Sequence, residues 1–443
     1  MTMEKPQVVT RVRRGPAEEK AFSFTRDMLP VQTDFREQAW ASYMRQPMPT
    51  TQDEPWRRTD IRALKLSQLR LVDGQAHDAN SAVPAHLMQP LTDAAHGGEV
   101  LLSAAGAKVS LASELSAQGV IFTDLMTAEK QYPQLVAKMA GKTVRPDEGK
   151  FAALAGALAH TGVLLYVPRG VEIKQPLHSL LWGSGKLTAQ ISHILVWVEA
   201  GASVTYLHES ASNTEDDQSM HAGLVEIHVG ENARLNFVEL QSWGKHVWNF
   251  SHERANVESY GTLDWIFGAI GSRLTKNFTT LELNGHGATG KMSGFYFTDG
   301  NQHLDHDTQQ NHHAPFTTSD LLFKGALQGE SRSVWQGMIY VAKGAVKADG
   351  YQANRNLVLS KASRADSIPG LEILADDVRC THGATVGKMD PTEIFYLNSR
   401  GIPKAEAERL IVEGFFDPIM QRIPFEGVRQ RFELAIHQKM GNI

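Results

Sequence analysis

Short β-rich runs separated by glycine or asparagine turns at a near-constant interval constrain this chain more than any other feature. From Val163 onward, Pro168-Arg169-Gly170-Val171-Glu172-Ile173, Glu199-Ala200-Gly201-Ala202-Ser203-Val204 and Gly230-Glu231-Asn232-Ala233-Arg234-Leu235 share one pattern. Gly170 to Gly201 is 31 residues, as is Ala202 to Ala233. Between the turns lie Val-rich pieces such as Ile194-Leu195-Val196-Trp197-Val198, whose branched and aromatic side chains suit a pleated surface. Less regular echoes follow at Tyr260-Gly261, Gly285-His286-Gly287 and Lys343-Gly344-Ala345. A repeat of this size, built of strands without helical halves, predicts a β-solenoid in which each coil buries one face against the next. A β-sandwich also gives frequent strands and turns; the repeat favours the solenoid and leaves the sandwich open.

The flanks read differently. Before the repeat, a polar arm around Arg11-Val12-Arg13-Arg14 precedes a predicted helix from Thr33 or Asp34 to about Met44, with Phe35, Ala39 and Tyr43 on one face and Pro47 and Pro49 as the stop. From there to His160 helical and extended pieces alternate in an order that periodicity does not resolve. After Asp390 the period turns helical: Ala407, Leu410, Ile411, Gly414 and Phe415 form one stripe, which Pro418 is expected to break, and Val428, Phe432, Ala435 and Ile436 form a second. Two such helices either cap an open solenoid end or form a docking surface. The division is thus an N-terminal helical or mixed region over 1–160, a β-solenoid over 161–390 and a C-terminal helical region over 391–443.

Composition narrows the function. The 443 residues carry 44 basic and 49 acidic side chains, with no long run of one sign, which argues against nucleic acid and anionic membrane as partners. No apolar run approaches a membrane-spanning length, and the N-terminus has no apolar leader, so a cytoplasmic protein is expected. Cys380 is the sole cysteine. It rules out an internal disulfide and any cluster held by several thiolates of this chain. There is no phosphate-binding G-x-x-x-x-G-K-S/T loop, no G-x-G-x-x-G that follows a strand and opens a helix, and no G-x-S-x-G elbow, so any use of ATP belongs to a partner.

Chemistry concentrates between Leu371 and Thr385. In an extended strand Asp376, Val378, Cys380 and His382 share a face. A thiolate and an imidazole together suit iron and iron–sulfur species, yet two ligands make only half a site. An ordinary thiol is about 3% ionised at pH 7, so Cys380 needs metal or positive charge to activate it; the competing reading is a small buried cysteine beside a hydrogen-bonded histidine. A second group, His303, Asp305, His306, Asp307, His312 and His313, has no recognised metalloenzyme spacing. Alternation scatters it over both strand faces, so it reads as a polar hydrogen-bonded ladder.

Several blocks carry a resemblance: Pro47 to Asp60, Thr317 to Leu327, Ser331 to Val334, Asn356 to Ser360, Leu371 to Gly387 and Phe395 to Ile402. On these the chain resembles the SufB/SufD family of iron–sulfur cluster assembly scaffold proteins. The resemblance implies a right-handed parallel β-helix with helical regions at both ends. It also implies a scaffold, not an enzyme, that pairs with a SufB-like subunit through the β-helix end and binds a SufC-like ABC ATPase through roughly residues 391–443. The isolated chain is then expected to hold no cofactor, a transient Fe–S cluster being shared with SufB. Within the family SufB carries a cysteine where Leu397 stands and lacks the Cys-x-His of Cys380 and His382, so the pattern is SufD-like. By resemblance His382 helps assemble the nascent cluster at the SufB interface, with Cys380 beside it as the second metal-ligating residue. Two alternatives are a SufB/SufD-like homodimeric scaffold and a β-helix carbohydrate-active enzyme, although no carboxylate pair marks the latter.

Overall fold

The computed structural model describes residues 21–73, 83, 84, 87 and 96–441; the polar arm at residues 11–14 lies outside them. From Thr161 to Lys388 the chain winds through about eight coils of a parallel β-solenoid. Successive strands alternate between two sheets, so each coil gives one strand to each sheet and pairs in parallel with the coils before and after it.

The turns explain the repeat. Gly170, Gly201, Asn232, Tyr260, Gly287, Phe316, Lys347 and Asp377 all have positive φ, between 55° and 70°. The amide of each of the first seven donates to a carbonyl in the next coil's turn, as Gly170 N does to Ala200 O (3.0 Å) and Lys347 N to Asp377 O (2.8 Å). One left-handed residue per coil therefore stacks into a column, where glycine or asparagine costs least.

Inside the solenoid the early coils are apolar, filled by Leu165, Leu181, Val196, Tyr206, Ile227 and Phe237. The later coils turn polar. Tyr296 Oη donates to Asn356 Oδ1 (2.5 Å), Asn356 Nδ2 to Asn354 Oδ1 (2.6 Å), and Ser367 Oγ to the same Asn354 oxygen (2.5 Å). Most buried polar groups are partnered in this way, and the network leads toward the last coil.

The two ends of the solenoid differ. At the first coil, Ile121–Asp124 pairs antiparallel with Thr161–Val167, and the hairpin of Gly98–Ser103 and Gly106–Leu111 joins the other sheet through Leu177–Gly183. At the other end Arg364–Ile373 and Arg379–Lys388 are the outermost strands, with no strand beyond them among the described residues.

The N-terminal helix runs Asp34–Arg45, capped by Thr33, whose side chain accepts from Arg36 N. Buried Arg36 donates to the carbonyls of Ala157 and Ala159 (2.9 Å each), neutralising the end of the helix Lys150–Leu158. Both helices pack with Trp56 and Leu64 on the outer face of the first sheet, against Ile191, Leu195, Leu224 and Phe250.

The C-terminal helices, Lys404–Met420 and Glu426–Met440, lie along the flank of the second sheet. They do not cap its end: Val412, Phe416, Ile419, Phe432 and Ile436 pack on Val238, Ile266, Phe295, Phe297 and Leu322. Two expectations change here. Pro418 lies inside the first of these helices, near its end, instead of breaking it, and Leu410, assigned to the buried stripe, is 39% exposed while Val412 and Phe416 are buried.

Candidate functional site

Cys380 and His382 lie on the strand Arg379–Lys388. The segment read as one extended run is in fact two strands: the first ends at Ile373, and Asp376 and Val378 belong to the turn before Arg379, where Asp377 has positive φ. Those two residues therefore leave the shared face. Cys380 and His382 keep it, because they are two apart on one strand.

Register decides which face that is. Cys380 stands beside Gly350 and His382 beside Gln352, and Gln352 is fully buried. The pair thus continues the inward-facing column of the solenoid onto its last coil. With no further coil to cover them, Cys380 is half-buried and His382 exposed.

Gly350 makes the seat for the thiol. A Cβ at that position would lie 3.2 Å from Cys380 Sγ and 3.3 Å from His312 Nε2, so a side chain there would press on both. Burial pushes the Cys380 thiol up from its ordinary range; the Gly350 backbone hydrogen bond acts in the opposite direction and the nearby Asp349 carboxylate adds to the rise. Cys380 is thus a thiol at neutral pH, and ligating a metal must release its proton. Beside His382, Gln352 Oε1 is buried without a hydrogen-bond partner among the described residues.

The second sequence cluster does not come together. His303, Asp305 and Asp307 face outward, where His303 Nε2 lies 3.0 Å from Thr59 Oγ1 and Lys276 bridges both aspartates (3.1 and 2.8 Å). His306 and His312 face inward, and His312 bonds Thr317 and Ser319 (2.7 and 2.9 Å). His313 pairs with Glu282 (2.7 Å). The alternation argument holds: this is a polar ladder on two faces.

Leu397 lies on the helix Pro391–Ser399, lining a groove with Leu357, Tyr396, Ile411 and Phe415. On that helix Phe395 and Tyr396 are 71% and 56% exposed. Sequence reasoning missed this patch, and it missed a trio, His96, Glu99 and His178, brought together by strand register.

An open-ended parallel solenoid with a thiol and an imidazole on its last inward column is a scaffold-like arrangement that offers an incomplete metal-ligand set. Two family models match the chain: the SUF system FeS cluster assembly SufBD core domain over residues 181–415, and the SufBD protein N-terminal region over residues 105–178. The chain belongs to the SufB/SufD family of iron–sulfur cluster assembly proteins. It is 33% identical to the iron-sulfur cluster assembly protein SufD of Bacillus subtilis (strain 168), over 75% of this chain and 77% of that protein. It is 31% identical to SufB of the same organism, over 75% and 72%, and 29% identical to a SufBD family protein of Staphylococcus epidermidis over the same shares. Both sisters are close, so the similarity fixes the family and leaves the sister to residue-level argument. Among the described residues no helix is long and apolar enough to cross a membrane.

Proposed function

We propose that the chain is a SufD-like, non-catalytic subunit of a cytoplasmic cluster-assembly complex. Its open last coil pairs with a SufB-like subunit, and Cys380 and His382 add a thiolate and an imidazole to a nascent cluster whose remaining ligands come from that partner. A SufC-like ATPase binds the C-terminal helices, with the exposed Phe395 and Tyr396 as its contact, and its ATP-driven dimerisation shifts the interface. The isolated chain keeps no cluster and hydrolyses no ATP.

The observation that carries this reading is the uncovered final coil. Arg364–Ile373 and Arg379–Lys388 are unpaired on one side, and Leu371, Ile373, Leu374 and Val386 are 36 to 53% exposed there. Free strand edges bearing apolar side chains invite pairing with another chain. The Cys-x-His pattern together with Leu397 supports the SufD-like assignment.

Purification of the chain from its native host tests the reading. The expected result is co-purification with a SufB-like subunit and an ATPase, while the chain purified alone holds no Fe–S cluster, read as acid-labile sulfide. A stable homodimer carrying a cluster without either partner would contradict it and favour the homodimeric scaffold.

A further inference from the structure

A second set of metal-ligand side chains lies at the opposite end of the solenoid from the open coil. Glu99, on the strand Gly98–Ser103, is the register partner of His178 on Leu177–Gly183. Side chains of register partners share a face, about 4.8 Å apart. His96, three residues before Glu99, brings its ring to 4.7 Å from the His178 ring. One ligand atom from each of the three lies within 4.8 Å of the others, the sole such trio among the described residues.

The geometry points to a site for a borderline divalent cation, Zn2+ or Fe2+, held by His96, Glu99 and His178. An independent feature supports it. The His96 side chain is 1% exposed, yet its Nε2 has no hydrogen-bond partner among the described residues, an arrangement that buried nitrogens rarely keep. Its Nδ1 lies 3.0 Å from Glu99 Oε1.

His178 is held as metal-binding histidines are. Its Nε2 donates to Glu209 Oε1 (2.7 Å), leaving Nδ1 for a cation, with a carboxylate behind the ring to fix the tautomer. Glu209 is in turn ion-paired with Arg431 of the helix Glu426–Met440. Among the described residues, Glu99 and Glu209 against Arg431 leave one net negative charge beside the two imidazoles.

Two imidazoles and a carboxylate suit Zn2+ or Fe2+ with a position left for water. Tetrahedral bonds of about 2.0–2.1 Å set ligand atoms about 3.3 Å apart, close to the 3.0 Å between His96 Nδ1 and Glu99 Oε1, so His178 is the ligand that must draw in. Glu99, with its side chain 44% exposed, has room to move. A bound ion would clasp the N-terminal hairpin to the first coil and, through Glu209 and Arg431, to the last helix.

The test uses the full chain, free of any histidine tag, in a Cys380→Ser/His382→Ala background that removes the open-coil donors. Co2+ is the spectroscopic probe, displaced by Zn2+ in competition with a chromophoric chelator. The expected result is one Co2+ per chain with visible d–d bands, lost in His96→Ala and weakened at least tenfold in Glu99→Gln, the scale that even outer-shell partners reach. Zn2+ should raise the thermal midpoint of the parent more than that of Glu99→Gln. Sub-stoichiometric Co2+ binding would overturn the site. So would affinity unchanged by Glu99→Gln, a variant whose half-exposed position keeps the test valid if His96→Ala fails to fold.

Discussion

Replacing Ile373 and Val386 together with aspartate should weaken binding to a SufB-like partner by at least about 100-fold, or about 2.7 kcal/mol, while the isolated chain stays folded. Both residues stand on the last coil, 40% and 52% exposed, so their replacement costs the monomer little. In a paired interface the same carboxylates would be buried against apolar or backbone groups, the device by which natural edge strands avoid pairing. Titration calorimetry gives the affinity, and the thermal midpoint of the unbound chain shows whether the fold survives. Unchanged affinity would mean that the partner docks elsewhere.

Acidification from pH 7 to pH 5 should destabilise the chain by several kcal/mol. His208, His221, His252, His306 and His312 are all buried, and burial is the first cause that depresses each, to about 3 or 4. Such a group stays neutral in the fold and takes up a proton only on unfolding once the pH falls below about 6.5. Its contribution is therefore complete above 6.5 and is lost as pH drops toward the folded value, at up to about 1.4 kcal/mol per pH unit for each ring. Glu239 and Glu253 act in the opposite sense. Burial is the main cause that raises both, so the fold holds their proton where the unfolded chain releases it. Raised Asp264, Asp305 and Asp307 add to that offset, while His228 and His303, also lowered by burial to about 4 and about 3, add to the loss, so seven rings stand against five carboxyls. The thermal midpoint should fall by at least about 5 °C, with net proton uptake on unfolding at pH 5.5. A midpoint that rises on acidification would contradict the assignment of these rings as neutral.

The solenoid was legible where glycine or asparagine fills the left-handed turn, as at Gly170, Gly201 and Asn232. It faded where Tyr260, Phe316 and Lys347 take that conformation, because their side chains carry no turn signal. The helix Lys150–Leu158 gave no stripe since Phe151 to Leu158 are all buried, and a helix apolar on every side has no period to detect. The Cys380 and His382 pairing needed only the two-residue period of a strand. That their coil is the last, and uncovered, depends on what fails to follow it in space. The Glu99 and His178 register is likewise set by tertiary pairing across a long stretch of chain.

The central claim is that His382 and Cys380 face a cluster site completed by a partner. Its most direct test is cluster content in the complex reconstituted anaerobically with His382→Ala. Subunit stoichiometry and thermal midpoint should match the parent, since His382 is exposed in the isolated chain, while bound iron and sulfide fall sharply. Cys380→Ser should lose less if softer donors from the partner remain. A His382→Ala complex with normal iron and sulfide content would contradict the account.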